Sequence, residues 1–385
     1  MRILVSSTRG MGHLQPLLPY AKALVARGHE VLVAGPKELR APLLRAGLPH
    51  APFDHPGDEG LAPIWARLRT VSQEEQPVIF VQDIFAGANA RSAIPGLLAT
   101  IATWQPQLIV RDSVEFGAIV AAEVASVPHV RVAVHQMQME EQIRALAAAP
   151  IDTLRRAAGL SGDGGASLQA EPIFTAFPES FEGPAPNAAS ATVYRVGPGK
   201  EALASNNSAW VPNGDGLPLV YVTFGTVLNA TPEALPIYRN AIAAIAKLPV
   251  RALLTTGRGF DVGVLGTIPA NLRVEAWVPQ ADVLPHAAVL VCHGGSGTVL
   301  GALAAGVPQV VVPFGADQPE NAKRIAAIGA GLALINPGVD ALGAAIQRVL
   351  AKDAFRRAAR AVAIDMAKLP TVDDVVDPLL AHAAR

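Results

Sequence analysis

The sequence predicts an α/β protein made of two doubly wound domains, each a parallel sheet with helices on both faces. The chain has 385 residues, which suits about two domains. Short apolar stretches alternate with helical patterns in both halves, and residues 201–217, rich in Gly, Pro, Asn and Ser, separate the halves as a linker. We therefore expect domains at 1–200 and 218–370 that face each other across a cleft. A helix at 371–385 is expected to pack back towards the first domain.

The first half opens with a strand–helix–strand unit. Ile3–Ser6 is apolar, a helical pattern runs from about His13 to Arg27, and Glu30–Ala34 is apolar again. Three such elements within about 30 residues indicate a parallel βαβ unit. Further predicted elements are the helix Glu38–Ala46, the strand Leu108–Arg111, the helix Glu115–Ala125 and the strand His129–Ala133.

Two segments of the first half, residues 53–104 and 136–190, follow neither the helical nor the strand period clearly. Prolines and separate apolar islands interrupt both segments. We predict that they are irregular insertions on the parallel sheet and that they shape a substrate pocket.

The second half repeats the alternation after the linker. Its predicted strands are Leu219–Phe224, Val250–Thr255, Leu272–Ala276, Ala288–Cys292 and Gln309–Val312. Helices are predicted at Glu233–Ala246, from Ser296, from Gln318 and over most of the last forty or so residues.

The composition limits the classes of partner. With 31 basic and 32 acidic side chains the formal charge is −1, so neither nucleic acid nor an anionic membrane is indicated as a partner. The single cysteine, Cys292, excludes a disulfide framework and fits a reducing compartment. The longest apolar stretch, Ala287–Phe314, is interrupted by His293, glycines and Pro308, and is therefore predicted to be a strand, a helix and a strand. We expect a cytoplasmic protein.

A glycine-rich turn follows the predicted strand Ala288–Cys292. Six glycines lie between Gly294 and Gly315, and a helix is predicted to start near Ser296. Such a turn leaves backbone N–H groups free at a helix N-terminus, where a phosphate can approach closely. With His293, Asp317 and Gln318 nearby in the sequence, the turn predicts a site for a diphosphate joined to a group rich in hydroxyls.

Four segments together resemble a known family. They are RGMGHLQP at 9–16, TFGT at 223–226, WVPQ at 277–280, and HGGSGT with GVPQVVVPFGADQ between 293 and 318. In order and spacing they are similar to the inverting nucleotide-sugar glycosyltransferases of family 1, especially the actinobacterial branch that decorates antibiotics and other natural products. The resemblance covers nearly the whole chain and implies the GT-B fold, which has two Rossmann-like domains. Residues 53–104 and 136–196 carry no match.

The resemblance implies that His13 is the general base and that Asp112 is its partner. His13 lies in the first turn of a helix after strand one, where the positive helix end disfavours the imidazolium form and leaves a ring able to accept a proton. An acceptor hydroxyl needs such a base because it is a poor nucleophile. Asp112 would fix the tautomer and stabilise the charged ring. As alternatives, His13 is only a capping residue at its helix start, or Asp112 caps the helix 115–125, a role that does not exclude its pairing with His13.

The resemblance also assigns a set of residues to the nucleotide sugar. Trp277 would stack on the base and Val278 would pair with it through the backbone, while Asp317 and Gln318 would bind the sugar hydroxyls. The residues assigned to the nucleoside, the diphosphate or its surroundings are Gly12, Thr226, Gln280, His293, Gly295, Ser296, Gly297 and Thr298. No metal ion or cofactor is expected, because the chain lacks an Asp-x-Asp pair and the helix N-terminus can stabilise the departing diphosphate.

One departure from the family bears on the nucleotide. Family members that use UDP-sugars usually carry a glutamate eight positions after the motif histidine, where it binds both ribose hydroxyls; this chain has Gly301. A 2′-deoxyribose would lose little binding affinity by that change, because it lacks one of the two hydroxyls. We therefore predict a dTDP-linked sugar, often a deoxysugar in this branch, with a UDP-sugar as the alternative.

The acceptor is expected to be an apolar natural product of aromatic or polyketide type. Its binding residues are predicted in the two irregular segments, and the candidates are Trp65, Phe80, Phe85, His135 and Met137. The oligomeric state stays open, a homodimer included. A sugar-nucleotide epimerase of the same fold and a non-catalytic nucleotide-sugar-binding partner are the alternative functions. A dinucleotide-dependent dehydrogenase is disfavoured because Gln15 stands where a third glycine would be expected.

Overall fold

The computed structural model describes residues 1–72, 74–183, 191–199, 216–225 and 234–384. These residues form two compact units. The first comprises the described residues of Met1–Ala176, Pro184–Val196 and Pro370–Arg385, and the second those of Phe177–Gly183 and Gly197–Leu369. Residues 177–183 therefore group with the second unit, although the sequence analysis placed them in the first domain. Of the linker predicted at 201–217, only Gly216 and Leu217 are among the described residues.

The first unit contains a seven-stranded parallel sheet. In chain order the strands are β1 (Arg2–Ser6), β2 (Glu30–Pro36), β3 (His50–Phe53), β4 (Leu108–Asp112), β5 (His129–Val132), β6 (Ile173–Thr175) and β7 (Val193–Arg195). The spatial order is β3-β2-β1-β4-β5-β6-β7, with Leu4 of β1 opposite Leu32 on one side and Ile109 on the other. The order of the strands reverses between β1 and β4, and in open α/β sheets ligands bind at that point.

The central strands are largely apolar on both faces, because helices cover both sides of the sheet. Ile3 and Val5 pack with Leu14 on one face, whereas Leu4 and Ile109 pack on the other. The C-terminal segment covers the first of these faces, since Val376 and Leu379 belong to the same apolar cluster as Ile3. The short 3₁₀ and α-helices of that segment are Asp373–Val375, Val376–Leu380 and Ala381–Ala384.

The two segments predicted to be irregular are largely helical. Helices occupy Gly57–Leu68, Gln76–Ile79, Ala90–Trp104 and Met137–Ala157, and the stretch Phe80–Asn89 is π-helical. Prolines at 63, 95 and 150 lie inside these helices. Each proline removes one backbone hydrogen bond, but burial of an apolar stripe outweighs that loss; in the longest helix the stripe is Ile143, Ala147, Ile151 and Leu154.

The remaining helices of the first unit connect the strands. They are the α-helices Met11–Leu14, Leu18–Ala26, Arg40–Arg45, Gly117–Val124 and Ala166–Ala170 and the 3₁₀ helix Lys37–Leu39. The single helix predicted from His13 to Arg27 is thus two helices, separated by the turn before Leu18.

The second unit contains a six-stranded parallel sheet. Its strands are β8 (Leu219–Thr223), β9 (Arg251–Thr255), β10 (Leu272–Glu275), β11 (Ala287–Cys292), β12 (Gln309–Val311) and β13 (Gly331–Ala333). The order is β10-β9-β8-β11-β12-β13, so the reversal lies between β8 and β11. Cys292 is fully buried at the end of β11, and burial raises the pKa of its thiol to about 12.

Helices cover both faces of this second sheet. They are the α-helices Glu179–Glu182, Ala234–Ala246, Gln280–Val283, Ser296–Ala304, Gln318–Ala327, Val339–Ala351 and Asp353–Lys368 and the 3₁₀ helices Val262–Leu265 and Leu284–His286. Phe177 and Phe181 explain why residues 177–183 belong here, because both are buried in an apolar cluster with Val362 and Met366. Arg324 Nε also donates to the carbonyl oxygen of Phe181 at 2.7 Å.

A buried ionic network ties β4 and β5 to the segment before β6. Glu171 accepts two hydrogen bonds from Arg111, at 2.9 and 2.5 Å, and its Oε1 lies 2.7 Å from His129 Nδ1. Arg111 also donates to the carbonyl oxygens of Asp112 and Ser113, at 3.0 and 3.1 Å. Burial alone would raise the pKa of Glu171, but the Arg111 guanidinium and His129 outweigh it and hold that pKa far below its usual range.

We predict that Glu171→Gln lowers the free energy of unfolding at pH 7 by about 3–5 kcal/mol, because it leaves the buried Arg111 without its counter-charge. The folded-state pKa of Glu171 is depressed, so its stabilisation is present above the unfolded-state pKa of about 4.3 and is lost as the pH falls below it. Between pH 7 and pH 3.5, the free energy of unfolding, measured with urea, should therefore fall less for the variant than for the wild type. Glu59→Gln, on an exposed helix turn, is the control; equal effects of the two variants would contradict the prediction.

Candidate active site

The structure places His13 and Asp112 together at the reversal of the first sheet. His13 lies in the helix Met11–Leu14, directly after the turn that follows β1, and Asp112 is the last residue of β4. Gly10 makes this turn with a φ of 116°, a conformation that side chains disfavour. Nδ1 of His13 is 3.5 Å from Oδ1 of Asp112, which is a close charge contact but longer than a hydrogen bond. The His13 side chain is 21% exposed, whereas Asp112 is fully buried.

Backbone donors hold Asp112 in its ionised form. Oδ2 accepts a hydrogen bond from the amide of Thr8 and Oδ1 one from the amide of Val114, each at 2.8 Å. Burial alone would raise the pKa of Asp112, but the neighbouring His13 imidazole and these two amides outweigh burial and lower that pKa below its ordinary value. The arrangement therefore places a fixed negative charge beside the His13 ring.

The alternative that Asp112 caps the next helix is not what the structure shows. Glu115 receives the first-turn amides of the helix Gly117–Val124, from Gly117 at 3.0 Å and from Ala118 at 3.1 Å. Its Oε2 also accepts the Ser6 hydroxyl at 2.6 Å. Burial raises the pKa of Glu115 to about 7. Asp112 is thereby left to face His13.

Three of the predicted acceptor residues are aromatic, and each lies against another ring. Phe85 packs against His13, with ring centroids 5.8 Å apart, and Trp65 meets Phe80 edge-on at 5.8 Å. The π-helical stretch that carries Phe85 depends on Gly87, because a methyl group there would lie 2.5 Å from the carbonyl oxygen of Gln82. Such π-helical turns are frequent at functional sites.

The other two predicted acceptor residues differ from each other. His135 lies after β5 and its Nδ1 is 3.3 Å from Oε1 of the buried Glu140, which also accepts the Ser113 hydroxyl at 2.7 Å. Met137 is only 1% exposed and packs with Ala133 and Ile173, so it is a core residue and does not form a ligand-facing wall. Its place at the start of a long amphipathic helix, which the sequence analysis did not predict, explains the error.

In the second unit, His293 lies directly after β11 at the reversal of the sheet. A methyl group at Gly295 would lie 2.5 Å from its Nε2, and one at Gly225, just after β8, would lie 2.8 Å away. Only glycine therefore fits on either side of this ring. Burial of the ring lowers the pKa of His293 to about 4, so the imidazole is neutral at pH 7 and can donate an N–H without carrying charge. Thr226, predicted to approach the phosphates, lies outside the described residues.

Asp317 is joined to the start of the helix Ser296–Ala304. Its Oδ2 accepts the Ser296 amide at 3.1 Å and the Ser296 hydroxyl at 2.5 Å. The Ser296 amide, which was predicted to hold a diphosphate, thus donates to a carboxylate of the chain itself. A carboxylate is favoured there because the N-terminus of a helix is positive. Gln318 uses its Oε1 to accept the amides of Phe314 at 2.8 Å and Gly315 at 3.4 Å.

The residues predicted to bind the nucleoside lie around the same helix start. Gln280 donates to the Thr298 hydroxyl at 3.1 Å, and Gly301 lies beside this pair, since a methyl group there would be 3.7 Å from the Gln280 Oε1. Trp277 is 50% exposed, while the neighbouring Val278 is buried. By contrast, Gly12 and Gly297 border open space, with no atom within 4 Å of an added methyl group.

The sequence analysis missed several residues that touch the predicted ones. Arg258 lies over the Trp277 ring, with its guanidinium carbon 5.0 Å from the ring centroid. Glu140 contacts His135, and Asn321 contacts Asp317 at 3.0 Å. Arg258 follows β9 at the carboxyl edge of the sheet, a position that could have identified it. Glu140 and Asn321 are buried polar residues within helices, for which the sequence alone gives no signal.

Two features are absent from the described parts of the chain, a metal-binding cluster and a membrane-spanning helix. Among those residues, no group of three or more His, Cys, Asp or Glu side chains could hold a metal ion. None of the helices in those parts is long and apolar enough to cross a bilayer.

Comparison with known proteins identifies the family. The model of the erythromycin biosynthesis protein CIII-like N-terminal domain matches residues 22–153, and that of the C-terminal domain matches residues 241–382. The chain is 34% identical to the elloramycin glycosyltransferase ElmGT of Streptomyces olivaceus over 400 residues, 97% of this chain and 96% of that one. It is 30% identical to the L-demethylnoviosyl transferase of Streptomyces niveus over 392 residues, 99% and 98% of the two chains.

Among solved structures, the spinosyn rhamnosyltransferase SpnG complexed with thymidine diphosphate matches with a TM-score of 0.82 and 26% identity. The match covers 99% of this chain and 100% of that one. Two Rossmann-like units with this set of loops define a glycosyltransferase of the GT-B fold, as the sequence predicted. The chain belongs to the actinobacterial natural-product glycosyltransferases of family 1, the erythromycin biosynthesis protein CIII-like family.

We predict that Gly295→Ala destabilises the second unit by about 1–3 kcal/mol, because the new methyl group and the His293 ring cannot occupy the same space. Gly297→Ala, two residues away in the same helix start, should have no such effect, since its methyl group meets no atom. Urea unfolding of both variants checks the prediction. Equal stabilities of the two variants would show that the ring is not confined by Gly295.

Proposed function

We propose that the protein is an inverting glycosyltransferase that moves a sugar from a dTDP-sugar to a hydroxyl group of a natural-product acceptor, with His13 as the general base. The observation that carries this proposal is the contact of His13 with the buried, ionised Asp112 at the reversal of the first sheet. Glycosyl transfer to natural-product acceptors is already established for the family. The base, the inversion and the nucleotide are the parts that we add.

The geometry around His13 supports its role as a base. Because Nδ1 faces Asp112, the proton on that nitrogen is favoured, and Nε2 is the nitrogen left to accept a proton from the acceptor hydroxyl. The negative charge of Asp112 then stabilises the imidazolium that forms. A separation of 3.5 Å suits a catalytic pair that tightens when substrate binds. Phe85 supplies apolar surface beside the ring for an aglycone.

The second unit supplies the groups for a nucleotide sugar. The neutral His293, the N-terminus of the helix Ser296–Ala304 and the Thr298 hydroxyl are the groups that would bind the diphosphate and stabilise it as it leaves. We propose that these groups suffice without a metal ion. The exposed Trp277 offers a stacking surface for the base, and Asp317 and Gln318 would bind the sugar hydroxyls. The reaction is then one in-line displacement, in which the bond from sugar carbon to diphosphate breaks as the acceptor oxygen attacks.

Two observations favour a dTDP-sugar over a UDP-sugar. Gly301 lies next to the Gln280–Thr298 pair and presents no carboxylate to a ribose 2′-hydroxyl. The related SpnG was solved with thymidine diphosphate. A 2′-deoxyribose has no 2′-hydroxyl, so it does not need the carboxylate that is missing at Gly301.

We predict that His13→Ala lowers the rate of glycosyl transfer by about 10²–10⁴-fold, because the acceptor hydroxyl loses its base. Binding of dTDP should be unchanged, since the groups proposed to bind it are in the second unit. Initial rates with a dTDP-sugar and an aromatic polyketide acceptor, together with calorimetric dTDP binding, check both parts. The control is His29→Ala, at the opposite edge of the sheet.

Full activity of the His13→Ala variant would refute the proposed base. Conversion of the nucleotide sugar by the wild-type protein without any acceptor would indicate an epimerase instead. Binding of the nucleotide sugar with no turnover at all, under conditions in which a known family member is active, would favour the non-catalytic alternative.

We predict that Gly301→Glu raises the affinity for UDP by about tenfold, because a charged hydrogen bond to the ribose 2′-hydroxyl becomes available. Affinity for dTDP should change little. Gly301→Gln introduces a side chain of nearly the same size as glutamate but without its charge. It is therefore the matched control for crowding against Leu284, whose Cδ1 would lie 3.3 Å from the new Cβ. Calorimetry with UDP and dTDP measures both. A wild-type protein that binds UDP more tightly than dTDP would overturn the predicted nucleotide.

A further inference from the structure

Asn321 is a buried amide at the centre of the predicted sugar-binding loops. It lies in the helix Gln318–Ala327 and is 1% exposed. Its Nδ2 is 2.8 Å from the Gly294 carbonyl oxygen, 3.0 Å from Asp317 Oδ2 and 3.1 Å from Ser296 Oγ. This one amide group therefore joins the turn after β11, the start of the helix Ser296–Ala304 and the start of its own helix.

The hydrogen bonds to Asp317 are unevenly distributed between its two oxygens. Oδ2 accepts from the Ser296 amide, the Ser296 hydroxyl and Asn321 Nδ2. Oδ1 receives no hydrogen bond from the described residues. Three donors from two residues fix the plane of the carboxylate and occupy one of its oxygens. The other oxygen is left to accept a hydrogen bond from a ligand.

The position of this carboxylate is also determined by charge. Asp317 lies at the N-terminus of the helix Ser296–Ala304, where negative charge is favoured. The hydroxyl and amide donors hold it on one side of that helix end. If the Asn321 donor were removed, the carboxylate could rotate, and neither oxygen would be kept ready for a sugar hydroxyl.

We propose that Asn321 is a positioning residue for sugar recognition, acting through Asp317 and assisted by the Ser296 hydroxyl. Oδ1 of Asp317 would then accept a hydroxyl of the transferred sugar. This inference rests on the proposed function and deepens it, because it states how the chain orients the group that distinguishes a nucleotide sugar from the free nucleotide.

The test compares a nucleotide with and without its sugar. Calorimetry measures the affinity of the full-length protein for dTDP and for the dTDP-hexose, from a panel of dTDP-glucose and its 6-deoxy and 2,6-dideoxy analogues, that binds the wild type most tightly. Asn321→Ala should weaken binding of the dTDP-hexose by about tenfold or more, because a hydrogen bond to a charged group is lost. Binding of dTDP alone should change by less than about twofold.

Two further variants keep the test decisive. Ser296→Ala removes only the hydroxyl donor and should give the same selective loss at about three- to tenfold, even if Asn321→Ala folds poorly. Lys323→Ala, an exposed residue paired with Glu320 on the same helix, is the matched control and should leave both affinities unchanged. In an Asp317→Ala background, Asn321→Ala should add no further loss, because Asn321 acts through Asp317.

Several outcomes would overturn the inference. Equal losses of dTDP and dTDP-hexose affinity would show that Asn321 only supports the loops. Additive losses in the Asp317→Ala background would show that Asn321 acts independently of Asp317. If the wild type binds the dTDP-hexose no more tightly than dTDP, the proposed contact between Asp317 and the sugar does not exist. A wild type that binds no dTDP refutes the proposed nucleotide instead, and the same comparison is then made with UDP and UDP-hexoses.

Discussion

The order of the strands in each sheet reverses next to its first strand, and this reversal decides where reactive side chains can lie. In the first unit the loops after β1 and β4 lead to opposite sides of the sheet. They therefore diverge and leave room between them at its carboxyl edge. His13 follows β1 and Asp112 ends β4, and the two meet there. In the second unit, Gly225 follows β8 and His293 follows β11, and they meet in the same way. The same topological rule thus brings these residues together within each unit.

Buried charged groups surround Asp112, the residue that contacts His13. Arg111 on β4 is neutralised by Glu171 and at the same time holds the carbonyl oxygens of Asp112 and Ser113. Glu115 occupies the amides of the next helix, which leaves Asp112 free to face His13. The pKa of Asp112 is lowered by the His13 imidazole and by the amides of Thr8 and Val114, while Arg111 and Glu115 are engaged with other partners. Such networks are costly to disturb, because an unpaired buried charge is strongly destabilising.

We propose that the second unit binds a doubly charged diphosphate, although the protein has almost no net charge. The groups available to bind the diphosphate are a helix N-terminus, a neutral imidazole confined between glycines, and hydroxyl and amide donors. The chain's own Asp317 already uses the Ser296 amide at that helix end. In our proposal, discrimination between a nucleotide and a nucleotide sugar depends on the orientation of this single carboxylate.

The sequence by itself determined the fold class, the family, most strand positions and the glycine-rich turn, because apolar periodicity and glycine requirements are local. It also identified His13 and Asp112, whose contact follows from strand ends at one edge of a parallel sheet. It did not determine the helices at 57–104 and 137–157, where prolines obscured a pattern that burial enforces. The buried position of Met137, the stacking of Arg258 on Trp277, and the donors that Asn321 and Ser296 give to Asp317 were decided only by the tertiary structure. These contacts join different elements of the fold, and which side chains meet depends on how those elements pack.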